Sequence, residues 1–224
     1  MQNNLTFRFN AQQAKLVFQT LILFELCMVI LYVMDHIFLS FGKSHLIIDL
    51  DGELTFPSWF SGIQLFCIGF LLIIQHYKEP RLKNISLWFI SLIGIGFMFL
   101  SLDEIILFHE KLSLRAVPLD WLPRFKNNNG VWIPIYVALI VTFLIFSRQK
   151  IKDLLQYYRN EAAIFSTGLF LFLLGGVVLE IFAYQYLNLN ELKKWYMLEV
   201  AFEEGLEMMG ASVMLYASLL LTLH

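Results

Sequence analysis

Residues 16–40 read LVFQTLILFELCMVILYVMDHIFLS, an apolar run with only two acidic side chains. The hydrocarbon core of a bilayer is about 30 Å thick, and an α-helix needs roughly 20 apolar residues to cross it. The run exceeds that length, and the cleavage site of small residues that would mark a signal peptide is missing. We therefore expect a retained transmembrane helix.

Five more apolar runs follow, separated by short loops. The six runs cover residues 16–40, 60–77, 86–109, 131–147, 162–187 and 198–222. Hydrophobic residues make up 58% of the 224 residues, well above the roughly 45–50% of a soluble globular domain. The sequence therefore predicts an all-α fold, in which residues 1–224 form one integral membrane domain. We expect a polytopic bundle of about six transmembrane helices in a lipid bilayer.

Charge and cysteine content exclude several classes of protein. The net charge is only −2, and the basic residues are scattered over the loops, so we expect no nucleic-acid partner. The two cysteines both fall inside apolar runs, which excludes a disulfide framework and a paired-cysteine metal site.

The basic residues in the loops favour one orientation in the membrane. They cluster between the second and third helices and between the fourth and fifth helices. Because such loops are usually cytoplasmic, we expect both termini to lie in the cytoplasm. The residues are Lys78, Arg81, Lys83, Arg148, Lys150, Lys152 and Arg159.

Two alignments within the chain suggest an internal repeat. Leu102-Asp103-Glu104 of the third helix aligns with Phe202-Glu203-Glu204 of the sixth, and residues 66–70 of the second helix align with residues 165–169 of the fifth. The first and fourth helices show no comparable match. The pattern favours a 3+3 inverted repeat, an arrangement that recurs in transporters.

Ionisable side chains interrupt four of the six helices, although each costs roughly 2.5–3.5 kcal/mol at the centre of a bilayer. Counting 1.5 Å of rise per residue from the helix ends places them in one layer near the outer face. Only Glu25 lies clearly below this layer. The layer contains Asp35, His36, Asp103, Glu104, His109, Glu110, Glu180, Glu203, Glu204 and Glu207.

Three of these carboxylates, Glu203, Glu204 and Glu207, lie within five residues of one helix. Because they repel one another, they must share protons, bind a cation or have cationic partners, and the predicted helices contain no Lys or Arg near them. A mixed Glu and His set suits Zn, Mn or Fe better than Ca. We therefore expect a divalent metal ion, with Asp103 as a catalytic base. The candidate ligands are Glu104, His109, Glu110, Glu203, Glu207 and His36.

No established metal signature supports this ligand set: there is neither an HExxH motif nor an ExxH pair. His109 and His36 are also compatible with simple hydrogen bonding, and Asp35, Glu110 and Glu199 with solvation at the headgroup boundary. The turn at residues 49–53 resembles the start of a calcium loop but lacks the later ligands, so we expect a solvated acidic turn.

Three strings carry a resemblance to a known group of proteins. They are IDLDGELTFPSWFS at residues 48–61, SLDEIILFHE at residues 101–110 and EEGLEMMG at residues 203–210. Together they resemble a family of uncharacterised bacterial polytopic membrane proteins. The resemblance implies a location in the bacterial cytoplasmic (inner) membrane.

The sequence is compatible with three functions. The layer of carboxylates and imidazoles favours a metal-dependent membrane enzyme that acts on a lipid or another hydrophobic substrate. The possible repeat, with Glu25 on the same helical stripe as His36, favours a proton- or cation-coupled transporter. The small size and dense aromatic residues also fit a non-catalytic subunit or assembly factor, either as a homo-oligomer or within a membrane complex.

Overall fold

The computed structural model describes residues 9–38, 47–52, 54–78, 87–116, 121, 123, 125, 130–187 and 193–223. These residues are almost entirely helical, and none of them forms a strand. The elements are α1 (Ala11–Phe38), α2 (Phe56–Lys78), α3 (Leu87–Ile106), α4 (Phe108–Ala116), α5 (Trp132–Tyr157), α6 (Arg159–Leu173), a π-helical segment (Leu174–Leu179), α7 (Glu180–Tyr186) and α8 (Lys193–Leu221).

Six helical stretches are long and apolar enough to cross a membrane, which confirms the predicted fold class. They are Ala11–Phe38, Phe56–Gln75, Trp88–Ile106, Trp132–Tyr157, Arg159–Tyr186 and Lys193–Leu221. Large apolar side chains also cover the outside of the bundle: Leu23 is 65% exposed and Phe146 is 85% exposed. Such side chains are compatible with lipid as the surrounding solvent, so the chain is a multi-pass membrane protein.

Helix α8 lies at the centre of the bundle and is the most buried of the six spans. It packs against α1, α2, α6 and the π-helical segment, while α2 also packs along α3. Helix α5 is more peripheral, and its main contacts are with α4 and α6.

Glycine pairs bring two sets of helices into close contact. A Cβ atom on Gly168 of α6 would lie 2.7 Å from the backbone oxygen of Gly210 on α8. A Cβ atom on Gly69 of α2 would lie 2.6 Å from the backbone oxygen of Gly94 on α3. Small residues permit this approach between membrane helices. Gly69 and Gly168 correspond in the predicted repeat, but the 3+3 repeat itself stays a prediction.

The third helix differs from the predicted run of residues 86–109. It ends at Ile106, and Leu107 has a φ of 56°, a left-handed conformation, before α4 begins. The side chain of Asp103 accepts a hydrogen bond from the backbone N–H of His109 at 2.8 Å. This bond satisfies one of the N–H groups that a helix leaves unpaired in its first turn. His109 and Glu110 therefore belong to a separate short helix.

The fourth predicted helix, residues 131–147, is longer in the structure. Helix α5 continues to Tyr157, through a segment that contains Arg148, Lys150 and Lys152. Lys and Arg are good helix formers, so the helix persists where the apolar run has ended. The apolar pattern therefore marked the membrane-crossing part of this helix and not its end.

Candidate functional site

A cavity of about 960 Å³ lies at one end of the bundle, among α3, α4, α5, α7 and α8. Nine acidic residues and one histidine line it, and no described Lys or Arg does. The cavity is therefore strongly anionic unless protons or cations occupy it. The acidic residues are Asp51, Asp103, Glu104, Glu110, Glu180, Glu199, Glu203, Glu204 and Glu207.

Asp103 holds His109 in place at the edge of this cavity. Its Oδ2 atom lies 3.3 Å from His109 Nδ1 and accepts a hydrogen bond from Tyr136 Oη at 3.1 Å. Its Oδ1 atom accepts the backbone N–H of His109, and the residue is only 5% exposed. Because both carboxylate oxygens are engaged, Asp103 is arranged to orient His109, leaving Nε2 as the ring nitrogen not engaged by Asp103.

The surroundings of His109 also change its affinity for protons. Burial alone would lower the pKa of His109, but the hydrogen bond that its ring donates to Asp103 and the negative charges of Asp103, Glu180 and Glu104 outweigh this effect and raise it. The His109 ring also packs 5.1 Å from the ring of Trp132. The negative charges around the imidazole thus favour its protonated, cationic form.

Helix α8 contributes four carboxyl groups to the cavity. Glu199, Glu203 and Glu207 are four residues apart and share one face of the helix, while Glu204 lies beside them. Both side-chain oxygens of Glu199 are buried and have no hydrogen-bond donor among the described residues. The carboxyl of Glu203 lies one turn further along the same face of α8. Two carboxyl groups can bond to each other only when they share a proton.

The π-helical segment packs directly against this face of α8. A Cβ atom on Gly175 would lie 2.6 Å from the backbone oxygen of Glu203, and one on Gly176 would lie 2.7 Å from Glu207 Oε1. The two glycines therefore allow the backbone to approach the carboxylates. Isolated π-helical turns within α-helices occur frequently at functional sites.

Two tyrosines bond to carboxylates around the cavity. Tyr184 Oη donates to Glu180 Oε1 within α7. Tyr196 Oη donates to Asp51 Oδ1 at 2.6 Å and so attaches the turn at residues 49–52 to α8. Burial and the neighbouring charge of Asp51 raise the pKa of Asp49. The predicted solvated acidic turn is exposed at Asp51, but Asp49 Oδ1 is buried, and Asp51 also lines the cavity.

A family model described as a domain of unknown function, DUF8692, matches residues 20–223. The chain belongs to the DUF8692 family. No curated protein and no solved structure matches it. The predicted membership of an uncharacterised family is thereby confirmed.

The structure of this DUF8692 protein brings most of the predicted site residues together. Asp103, Glu104, His109, Glu110, Glu203 and Glu207 all line the cavity. His36 does not line it: its ring lies 4.3 Å from the ring of Tyr32, and its Nδ1 atom is 3.1 Å from the Tyr32 backbone oxygen.

The structure places at the site several residues that are not among the predicted ligands or the predicted base. Glu199 lies one turn before Glu203, a spacing that could have revealed it. Tyr136, Tyr184 and Tyr196 also line the cavity, but tyrosines near a membrane boundary are too common to mark a site. Asp51 reaches the cavity through a loop whose path no periodicity indicates.

The carboxylates of this DUF8692 protein have a donor chemistry that fits a metal ion, but they do not converge on one point. Among the described residues, no three His, Cys, Asp or Glu side chains are grouped closely enough to hold a metal. Binding of a metal would therefore require rotation of side chains such as Glu104, Glu203 and Glu207 toward the ring of His109.

Proposed function

We propose that this protein is a metal-dependent membrane enzyme that acts on a lipid or another amphiphilic substrate. The observation that carries the proposal is the contrast between two kinds of side chain that line the cavity. Carboxylates from α3, α4, α7 and α8 line it, and we call them the polar wall; apolar side chains of α5 and of the end of α6 also line it, and we call them the apolar wall. An amphiphile presents the same contrast between its headgroup and its chains.

The apolar wall also offers a route from the bilayer. Val137, Ile140 and Val141 of α5 line the cavity and are nevertheless 40%, 39% and 47% exposed. Helix α5 packs mainly against α4 and α6. It reaches α3 through Tyr136 and Phe143, and the apolar residues between these two contacts line the cavity. A hydrophobic substrate can approach along this helix without crossing water.

The polar wall supports metal binding through the pair formed by Asp103 and His109. A histidine that binds a metal usually donates its other ring N–H to a carboxylate, which fixes the orientation of the ring. Asp103 is placed to accept this bond, which leaves Nε2 of His109 as the ligand atom. Glu104, Glu203 and Glu207 supply carboxylate oxygens, which suit Mn, Fe or Zn.

The roles in catalysis follow from these positions. A bound divalent metal would polarise a substrate oxygen or activate water. Both oxygens of Asp103 already contact His109, so in this proposal Asp103 positions His109 and another cavity carboxylate acts as the base. Val137, Ile140 and Val141 exclude water from the apolar part of the substrate.

Metal analysis tests this proposal directly. Purified protein is loaded with Mn²⁺ or Zn²⁺, desalted and analysed for bound metal by mass spectrometry, alongside Glu203→Ala/Glu207→Ala and, as a matched control outside the cavity, His36→Ala. We expect stoichiometric metal in the wild type and in His36→Ala, and at least tenfold less in the double variant. Equal retention in all three proteins, or in none, would refute metal binding at this site.

A proton- or cation-coupled transporter is the second candidate. It is favoured by the π-helical segment at the cavity and by Glu25, a buried carboxyl group below it. A closed apolar core fills the other end of the bundle, around Ile68, Phe97 and Met214, so transport would require this core to open. Cation flux into proteoliposomes that Glu25→Gln and Glu207→Gln abolish would support transport, and flux that survives both would count against it.

A further inference from the structure

Below the acidic cavity, α1, α2 and α8 each contribute one polar side chain to an otherwise apolar part of the bundle. Glu25, Gln64 and Ser212 are 1%, 2% and 0% exposed. Gln64 Nε2 donates to Glu25 Oε1 and to Ser212 Oγ, both at 2.8 Å. Ser212 Oγ donates to Glu25 Oε1 at 2.6 Å. Every polar hydrogen of Gln64 and Ser212 is therefore already in use.

Two acceptor atoms of this cluster have no hydrogen bond. Glu25 Oε2 and Gln64 Oε1 are buried and have no partner among the described residues. Buried polar atoms without partners are rare in native proteins, and two acceptors cannot satisfy each other. A single proton on Glu25 Oε2 supplies the missing donor. Its acceptor is Gln64 Oε1, because the same Gln64 side chain already donates to Glu25 Oε1.

A metal ion does not fit the cluster as well as a proton does. Glu25 Oε1 already accepts two hydrogen bonds, so only two oxygen atoms remain free. Ions that prefer oxygen take more ligands than this, about six to eight in the case of Ca²⁺. The cluster therefore has the right number of free atoms for one shared proton.

Along α1, α2 and α8, the described residues near Glu25 provide no counter-charge for its ionised form. The nearest titratable residues are Cys27 on α1, Cys67 on α2, and Tyr216 and Glu207 on α8, none of which is cationic at neutral pH. An isolated carboxylate in such surroundings becomes neutral by taking up a proton.

We infer that Glu25, Gln64 and Ser212 form a buried proton-binding site, in which Glu25 is a carboxylic acid that donates its proton to Gln64 Oε1. The site lies close to the cavity. Ser212 follows Glu207 by five residues, about 7 to 8 Å along α8, and Leu65, the neighbour of Gln64, lines the cavity. The proton on Glu25 can therefore exchange with the cavity when the charge there changes.

Infrared difference spectroscopy on the purified full-length protein tests this site without metal or substrate. The spectrum of Glu25→Gln is subtracted from that of the wild type at neutral pH. We expect a positive carbonyl band of a protonated carboxylic acid, which shifts to lower frequency in D₂O because the proton exchanges. A difference spectrum with only the bands of an ionised carboxylate would overturn the inference, and a band that does not shift would refute exchange with the cavity.

Two further variants keep the test decisive if Glu25→Gln folds poorly. Ser212→Ala removes a donor to Glu25 Oε1, so the carbonyl band should move to higher frequency without disappearing. In thermal unfolding, Glu25→Gln preserves the geometry of a neutral carboxyl group and should be at least as stable as Glu25→Leu. The leucine variant loses the two hydrogen bonds that Glu25 Oε1 accepts and the one that Glu25 Oε2 donates. A band unmoved by Ser212→Ala, or a Glu25→Gln variant less stable than Glu25→Leu, would contradict a protonated Glu25. These outcomes are independent of whether the cavity binds a metal.

Discussion

Asp103 Oδ2 and His109 Nδ1 lie 3.3 Å apart although a break at Leu107 separates their helices. In a continuous helix, residues six positions apart point about 120° away from each other and lie about 9 Å apart along the axis. The left-handed conformation of Leu107 reverses this relationship, so the imidazole turns back toward the carboxylate. The break in the helix is thus the local cause of the Asp103–His109 pair.

The pair predicts how His109 titrates. Asp103→Asn removes the negative charge but leaves an amide oxygen for the backbone N–H of His109, so the pKa of His109 should fall and its proton affinity should drop about tenfold or more. NMR of labelled histidine in metal-free protein measures this change. Tyr136→Phe removes only one donor to Asp103 and should not lower the pKa of His109. An unchanged pKa in Asp103→Asn would contradict the role of Asp103.

The same pair predicts a dependence of stability on pH. Because the fold raises the pKa of His109, the stabilising effect is fully present below its unfolded value of about 6.5. It is lost as the pH rises through the higher folded value. Stability measured across this range should therefore decline more in the wild type than in His109→Gln. Identical slopes in both proteins would show that His109 contributes nothing.

The contact between the π-helical segment and α8 predicts the effect of a methyl group at Gly175. A Cβ atom there would lie 2.6 Å from the backbone oxygen of Glu203, so Gly175→Ala must separate the two helices. We expect a loss of roughly 1–3 kcal/mol, measured by unfolding in detergent. Gly96→Ala is the matched control, because a Cβ atom on Gly96 would meet nothing within 4 Å. Equal stability of the two variants would mean that this contact is not tight.

The apolar wall of the cavity predicts where an amphiphile binds. Ile140→Trp places a large ring in the cavity and should displace a bound lipid. Leu139→Trp, on a residue that is 63% exposed and does not line the cavity, should not. Native mass spectrometry of protein released from mild detergent measures the retained lipid. Loss from both variants, or from neither, would argue against entry along α5.

The bond between Tyr196 and Asp51 predicts how the loop is held. Tyr196→Phe removes the donor that lies 2.6 Å from Asp51 Oδ1, a bond to a charged group that contributes roughly 1.5–3 kcal/mol. Hydrogen exchange of residues 47–52 should become faster in this variant. Tyr157→Phe, at the other end of the bundle, should leave exchange in this turn unchanged. Unaltered exchange in Tyr196→Phe would show that other contacts hold the turn.

Most of the architecture could be predicted from composition and the spacing of apolar runs. In lipid, every backbone N–H and C=O group must be satisfied within the segment, so a long apolar run such as residues 16–40 has to be a helix. Depth along each helix follows from a fixed rise per residue. For this reason the acids of α3, α7 and α8 could be assigned to one layer, and the cavity contains them.

Lateral packing, by contrast, was decided only in the tertiary structure. His36 and Asp103 have similar predicted depths, yet only Asp103 lines the cavity, because depth does not determine the direction in which a side chain points. Glu25 is 39 residues from Gln64 and 187 from Ser212, and no sequence pattern relates them.

The amino-acid sequence by itself therefore determined that the chain crosses a membrane as six helices with its acids near one end, because solvation and helical rise act on each segment separately. Only the tertiary structure decided that Asp103 orients His109, that Tyr196 donates a hydrogen bond to Asp51 and that Gln64 donates one to Glu25. These pairings depend on how separate helices rotate and pack against one another, which is a property of the whole bundle.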